Sequence, residues 1–393
     1  VKLLRAGWVL PVAGGAVRDG AVAVADGRIA WVGPWRSPER PAGELLDLGP
    51  GVLLPGLVNA HCHVELSYLA GALSGRAGFS AWVAGLVERR AAETREEVRA
   101  AAAAALQALA AAGTVAVGDV SNRLEHLDLF EAAGLRAVVF HELLGWDPAR
   151  AGEIAHAADE RLADLPARTG VSVRLAAHAP HSVSPPLFAA LQARGGPACV
   201  HLAESPDEAR FLCSGDGPWR EFLARRVGPV PFEAPGLSPV RYLESLGVLR
   251  RGLLAVHGVQ AGRDDCRLLA ERGVRVALCP RSNLALGVGL PPVEALLEAG
   301  VELCLGSDSL ASASTLDVLD DLRLLRREFP ALPVHCLVEM ATRNGAQALG
   351  FDDLGTLEPG QRAALAFVPA ESEIDDAWAY VADSDVPARR VEW

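Results

Sequence analysis

The sequence predicts an α/β chain built around a closed (β/α)8 barrel of the TIM type, with a small β domain formed by the N- and C-terminal segments. Three observations carry that expectation. Eight short β-like apolar runs alternate with segments of helical periodicity. Histidine and carboxylate side chains fall at or just past the ends of runs one, five, six and eight, the face on which barrel sites assemble. Residues 1–50 and 354–393 differ from the rest: short β runs, the turn strings Asp26-Gly27 and Glu358-Pro359-Gly360, and little helical pattern. The expected division is therefore a β domain of 1–50 and 354–393 and a barrel of 51–353. An open doubly wound sheet is the alternative, but no Gly-rich phosphate turn follows the first run.

In chain order, Ala21 to Ala25 and Arg28 to Trp31 read as a hairpin turning at Asp26-Gly27. The expected barrel strands are Leu53 to Ala60, Thr114 to Gly118, Arg136 to His141, Ser172 to Ala177, Ala198 to Leu202, Leu253 to His257, Val274 to Cys279 and Glu302 to Gly306. Helices are expected at Leu127 to Ala133, Pro185 to Ala193, Asp264 to Arg272 and Pro292 to Ala299, and over the Ala-rich stretch Arg99 to Ala112, stopped by Gly113. The connection from Ser205 to Pro239, with Gly215-Asp-Gly-Pro-Trp219 and Pro229-Val-Pro-Phe232, is long for a βα loop and reads as a lid or a dimer contact.

A chain of 393 residues, half of them hydrophobic, can bury a sizeable core. A formal charge of −12 opposes a role in binding nucleic acid, which calls for a basic footprint. The N-terminal segment does not read as a signal peptide, and no run of about 18 apolar residues suggests a membrane span. Seven scattered cysteines with no CxxC read as reduced core or loop residues of a cytoplasmic protein. Lys2 is the only lysine, so a Schiff-base lysine, a Walker lysine and a carboxylated lysine bridging two metals are all excluded.

The chemistry centres on His61-Cys62-His63. Side chains alternate along a strand, so His61 and His63 project to one side, as two imidazoles meeting one ion require. An HxH string alone is common. It gains meaning from His201-Leu-Ala-Glu204, Val256-His257-Gly258 and Ser307-Asp308-Ser309, each of which brings its His or Asp in behind a short apolar stretch. One divalent ion is the implied cofactor, with zinc favoured and iron or manganese compatible with the same donors.

With these residues in hand, the chain resembles the amidohydrolase superfamily, in particular its mononuclear deaminase and chlorohydrolase branch. The likeness is carried by Leu54-Pro-Gly-Leu-Val-Asn-Ala-His-Cys-His63, His178-Ala-Pro-His-Ser-Val-Ser184, His201-Leu-Ala-Glu204, Cys279-Pro-Arg-Ser-Asn283, Gly306-Ser-Asp-Ser309 and Leu354-Gly-Thr-Leu-Glu-Pro-Gly360. The resemblance implies metal ligation by His61, His63, His201 and Asp308, and catalytic roles for Glu204 as proton shuttle, for His257 near the metal or its water, and for Asp308 as acceptor of the water proton. It implies substrate contacts from His178 and Asn283. Trp82 is expected as apolar filling at the pocket mouth, and Glu65 either binds ribose hydroxyls or pairs with an arginine.

Departures matter too. Ala177-His178 stands where dinuclear relatives carry a carboxylated lysine, which favours one metal, and Arg281 suggests a pocket touching something polar or anionic. Asp119, Ser121, Asn122 and Glu142 lie at strand ends, where caps or turns explain them as well as a place at the site does, and His126, His156 and His335 read as surface or packing residues.

A narrower likeness of loops, in His63-Val-Glu-Leu-Ser67, Gly118-Asp-Val-Ser-Asn122 and Phe140-His-Glu-Leu-Leu-Gly145, points to aminodeoxyfutalosine deaminases of menaquinone biosynthesis. The implied reaction is attack of metal-activated water at C6 of an adenine-type nucleoside with release of ammonia. Deamination of S-adenosylhomocysteine, methylthioadenosine or guanine, and chloride displacement from a triazine, are the alternatives on the same ligands. The expected partner is a small nucleoside-like molecule, with no nucleic acid and no membrane, and a homodimer is compatible with the chain.

Overall fold

The first expected strand, Leu53 to Ala60, is two strands in the computed structural model, which describes residues 1–75, 78–228 and 232–393. Gly51–Pro55 and Leu57–Cys62 join different sheets, with Gly56 between them. A Cβ at Gly56 would overlap the Val115 side chain, so only glycine lets the backbone pass this close.

The N-terminal segment supplies β1 (Lys2–Val9), β2 (Val17–Ala25), β3 (Arg28–Pro34), β4 (Glu44–Asp47) and β5 (Gly51–Pro55). The middle of the chain supplies β6 (Leu57–Cys62), β7 (Thr114–Ser121), β8 (Arg136–Leu143), β9 (Val171–Ala177), β10 (Cys199–Leu202), β11 (Leu254–His257), β12 (Arg275–Leu278) and β13 (Leu303–Leu305). The C-terminal segment adds β14 (Leu365–Pro369) and β15 (Arg389–Arg390). Strands from both termini form one seven-stranded sheet in the order β15-β14-β5-β1-β2-β3, with β4 also pairing β1. Its expected hairpin is present: Asp26 and Gly27 both take positive φ (51° and 72°), the backbone that a two-residue turn matching strand twist requires.

The other eight strands form two four-stranded parallel sheets, β6-β7-β8-β9 and β10-β11-β12-β13. Hydrogen bonds connect their edges. Ala198 N–H donates to Leu175 O and His201 N–H to His178 O, each at 2.8 Å, between the β9 and β10 regions. At the opposite edges His63 N–H donates to Asp308 O and Ser307 N–H to His61 O, each at 3.0 Å. One apolar cluster takes side chains from all eight strands, among them Val58, Ala116, Phe140, Ala176, Cys199, Val256, Ala277 and Cys304. Alternate residues such as Val117 and Val139 face the other way, onto Leu106 of the helix Arg95–Ala111 and Phe130 of the helix Leu127–Ala132. This is the two-sided burial that parallel strands demand. Among the described residues no helix is long and apolar enough to cross a membrane.

The long Ser205 to Pro239 connection holds the helices Pro206–Ser214 and Pro218–Arg226, started by the Ser205 cap and by prolines at the first helical turn. Its Pro229-Val-Pro231 string lies outside the described residues. Of the surface and packing alternatives, His126 takes the packing one. It is 1% exposed, and its Nε2 lies 2.7 Å from Asp119 Oδ2. Asp119 Oδ1 in turn accepts the Val64 N–H at 2.8 Å, directly after His63, so the pair anchors the turn that follows the HxH string. His126→Ala strands the buried Asp119 carboxylate and is expected to cost about 3–5 kcal/mol of stability. Denaturant midpoints at unchanged slope measure this, and a loss under about 1 kcal/mol would show that Asp119 finds other partners.

Candidate active site

The ends of β6, β10, β11 and β13 bring His61, His63, His201, His257 and Asp308 to one point. Nε2 of His63 lies 3.2 Å from Nε2 of His201 and 3.5 Å from Asp308 Oδ1. His61 Nε2 lies 3.8 Å from the same carboxylate oxygen. The ring nitrogens of His61, His201 and His257, and separately the donor atoms of His61, His63 and Asp308, lie within 4.8 Å of one another. Close approach at β13 depends on Gly306, where a Cβ would press on the His61 side chain and carbonyl. Ala203, His257 and Asp308 all take positive φ (53°, 76° and 59°), so three strand ends hold costly left-handed backbone at the site.

The surrounding groups orient these donors. His201 Nδ1–H donates to His178 O at 3.0 Å, which turns Nε2 to the cluster. Asp308 Oδ2 accepts from the Ser282 and Ser312 hydroxyls, leaving Oδ1 toward the imidazoles. The Asn283 amide lies 3.0 Å from His257 Nδ1. With its oxygen toward that atom the ring offers a lone pair at Nε2, and with its nitrogen there Nε2 carries the proton instead. Burial holds His63 down to about 3 even though Asp308 opposes it, and it likewise holds His257 down to about 3. Burial also pushes Asp308 up, but the adjacent His63 and His257 outweigh it and leave the carboxylate below its usual range. The result is neutral imidazoles facing an ionised carboxylate, the protonation state that metal binding uses. His61 makes the strongest case for a metal: it is 0% exposed and neither ring nitrogen has a hydrogen-bond partner. An ion would satisfy what is otherwise a buried imidazole with nothing to bind. The donor set fits one divalent cation.

Glu204 is buried with its Oε1 3.5 Å from His257 Nε2. Burial raises its pKa well above the usual carboxylate range, and the Asp308, Glu208 and Glu142 charges add to this. Its backbone is clamped by a residue that sequence reading did not single out. Glu208, on the helix Pro206–Ser214 and 0% exposed, accepts the Ala203 N–H at 3.1 Å and the Glu204 N–H at 2.8 Å. Burial lifts Glu208 to about 7, so between about pH 4.5 and 7 the folded chain keeps a proton that the unfolded chain has released. Stability contributed by this group therefore falls as pH rises through that window, by about 3 kcal/mol in all. Glu208→Gln is expected to flatten that slope and to lower turnover about tenfold by loosening Glu204. Unfolding curves from pH 4 to 8 and steady-state rates check both, and an unchanged slope would remove Glu208 as its source.

A cavity of about 570 Å³ opens onto the cluster. His63, His201, Glu204, His257 and Asp308 form its floor, and Phe79, Trp82, Trp146 and Trp219 are among its apolar walls. Trp219 and Phe222 come from the helix Pro218–Arg226, so the long connection covers the cavity.

Of the expected substrate contacts, Trp82 and His178 line the cavity, with the Ser182 hydroxyl 2.5 Å from His178 Nδ1. Glu65 and Asn283 do not. Glu65 is saturated by Arg90 (2.6 Å), the Ser121 hydroxyl (2.6 Å) and the Arg123 N–H (3.2 Å), the arginine-pair alternative. Asn283 sits behind His257. Arg281 is also off the cavity: Asp321 (2.7 Å), Asp320 and the Thr315 and Asp317 carbonyls engage it, because a buried guanidinium needs carboxylate partners.

Glu142, a strand-end residue that a cap or turn would explain equally, and His181, from the His178-Ala-Pro-His-Ser-Val-Ser184 string, both line the cavity. His181 stacks on Trp219 at 4.1 Å. Their signal was their place, Glu142 at the end of β8 and His181 just past β9, on the face that carries the other site residues. His156 is exposed as expected, and all seven cysteines are free.

Parallel α/β sheets whose strand ends converge imidazoles and a carboxylate on one buried point define a metal-dependent hydrolase. The chain belongs to the amidohydrolase family, whose model matches residues 52–389, and it is an enzyme acting on C–N bonds other than peptide bonds. It is 34% identical over 398 residues to a 5-methylthioadenosine/S-adenosylhomocysteine deaminase of Halobacterium salinarum, covering 91% of this chain and 84% of that one. To the aminodeoxyfutalosine deaminase of Deinococcus radiodurans it is 33% identical over 358 residues, covering 86% and 83%. Among solved structures, an adenosine deaminase from Xanthomonas campestris with bound zinc matches at a TM-score of 0.79 and 26% identity, over 99% of this chain and 90% of the other.

Proposed function

We propose that the protein is a mononuclear metal-dependent deaminase of an adenine-type nucleoside, with 6-amino-6-deoxyfutalosine as the leading substrate. The single observation that carries the reading is the protonatable Glu204 set beside the His/Asp cluster at the floor of an aromatic-walled cavity. The relatives named for nucleoside deamination support the substrate class. The greater identity to the Halobacterium protein keeps methylthioadenosine and S-adenosylhomocysteine as the second reading. We also read the two parallel sheets as one closed (β/α)8 barrel, supported by the edge hydrogen bonds and the shared apolar cluster, and the seven-stranded sheet as a separate small domain reached through Gly56.

In this reading His61, His63, His201 and Asp308 hold one divalent ion, zinc in the first instance. When bound, that ion is a Lewis acid that activates water for attack on carbon. Asp308, held by Ser282 and Ser312, takes the proton of the attacking water. Glu204, whose hold on its proton is strengthened by burial, delivers that proton to the ring nitrogen beside C6, without which a neutral ring resists attack. His257 borders the reacting carbon and His178 the bound ring, while the tryptophans exclude water from the base. Asp308 then gives the water proton to the exocyclic amine, which leaves as ammonia, and Glu204 takes back a proton from the C6 hydroxyl, so that both carboxyl groups return to their starting state.

The test is ammonia release by metal-assayed protein over aminodeoxyfutalosine, methylthioadenosine, S-adenosylhomocysteine, adenosine, guanine and a chlorotriazine. Preferred turnover of aminodeoxyfutalosine is expected. Preference for another nucleoside moves the substrate and keeps the reaction, whereas chloride release alone overturns it.

A further inference from the structure

Glu142 has no function in the scheme above, yet it is a carboxylate with one oxygen held and the other free. It lies near the end of β8, is 7% exposed and lines the active-site cavity. Its Oε2 accepts from Asn122 Nδ2 at 3.0 Å, while its Oε1 has no hydrogen-bond partner. The nearest cationic candidate, His201 Nδ1, lies 3.5 Å from Oε1, but that N–H is already given to the His178 carbonyl. Supporting His201 therefore does not account for Oε1.

The held oxygen sits at the end of a chain of polar contacts. Glu65 Oε1 accepts from Arg90 at 2.6 Å, Arg90 donates to Asn122 Oδ1 at 2.9 Å, and Asn122 Nδ2 donates to both the carbonyl and Oε2 of Glu142. Arg90 and Asn122 thus both act to fix one carboxylate rotamer. A buried acceptor left without a donor costs free energy, so a site that commits three side chains to holding one in place awaits a donor from outside the protein.

We propose that Glu142 is a substrate-contact residue whose free Oε1 accepts a hydrogen bond from an O–H or N–H of the bound nucleoside, with Glu65, Arg90 and Asn122 as its positioning residues. The proposal rests on the deaminase reading for the identity of the ligand. The donor is a ribose hydroxyl or the exocyclic amine, which share the capacity to donate to an acceptor oxygen. In both cases the contact favours nucleosides over ligands without a donor there.

The test is Glu142→Gln, with metal content, unfolding temperature and rates measured on adenosine, 2′-deoxyadenosine and 3′-deoxyadenosine. These are read as kcat/KM where they turn over and as inhibition constants against the best nucleoside where they do not. In the variant Asn122 Nδ2 holds the new amide oxygen, which puts an NH2 where the buried, unpartnered Oε1 acceptor stood. The expected loss is about 10- to 100-fold for adenosine at full metal content. If the donor is a hydroxyl, the penalty that the matching deoxy analogue shows in the parent enzyme disappears in the variant. If it is the amine, all three nucleosides lose equally, in kcat. Glu142→Asp, which withdraws the carboxylate by one methylene, is expected to fall in the same direction by less. Loss of metal from either variant, or rates within about twofold of the parent on all three probes, overturns the contact. A parent enzyme that neither turns over nor binds any nucleoside overturns the deaminase reading and this contact with it, whereas an active parent with an indifferent Glu142→Gln overturns the contact alone.

Discussion

His61→Ala is expected to abolish metal retention and to lower turnover by about a thousandfold or more, on the order of the several kcal/mol that a Lewis acid contributes. His61 is the central donor: its ring centroid lies 4.9 Å from that of His63, 5.0 Å from His201 and 6.0 Å from His257. Alanine removes that donor and leaves a void beside four polar groups whose remaining donors no longer surround one point. Metal content by elemental analysis and rate under metal excess read the effect directly. Thermal unfolding gives an independent check, because an ion that binds only the folded chain at about 100 times its dissociation constant adds about 2.7 kcal/mol of stability. Added metal should raise the unfolding temperature of the parent protein and leave that of the variant unmoved. A variant that retains one equivalent of metal and near-parent turnover would remove His61 from the ligand set.

Glu204→Gln is expected to keep the metal and lose turnover by about 10²- to 10⁴-fold, the range a positioned general acid–base group supplies. The substitution preserves shape and the capacity to accept a hydrogen bond, so the Glu208 clamp on the Ala203 and Glu204 N–H groups stays intact. What it removes is a proton that can be given and taken back. Burial is the main reason that the Glu204 pKa is raised well above the usual carboxylate range, so parent turnover should fall as pH rises through it, and the variant should lack that limb. The metal assay separates this outcome from the first one. Full turnover in a metal-replete variant would assign the proton transfers elsewhere.

The two substitutions test different links. Loss at His61 reports on who holds the ion, whereas loss at Glu204 reports on who moves the proton.

The convergence of the imidazoles and the carboxylate was legible in the linear chain. His61, His63, His201, His257 and Asp308 each follow an apolar run, and strand alternation fixes the side to which each points. The strand positions were readable within a residue or three for β7 to β13, since buried parallel strands are short continuous apolar runs between helical periods. Leu53 to Ala60 read as one strand from its apolar run, which passed over the break signal Pro55-Gly56 at its middle. The break at Gly56 comes from the approach of Val115, a residue far along the chain.

The polar environment was not legible in the same way. Glu65 and Glu142 both stand near strand ends, and composition cannot say which one faces the cavity. Arg90 decides it, by saturating Glu65 and orienting Asn122 so that Glu142 keeps an oxygen free. Arg281 turned from the cavity for the same reason, since Asp320 and Asp321 on a neighbouring helix take its charge. His126 found a buried partner in Asp119 that no local pattern announces. Ligand chemistry follows from residue type and strand period, both of which are local properties of the chain. Which carboxylate is taken by a structural cation and which is left for a substrate depends on pairings made across the fold, where the cost of burying an unpaired charge selects the partners.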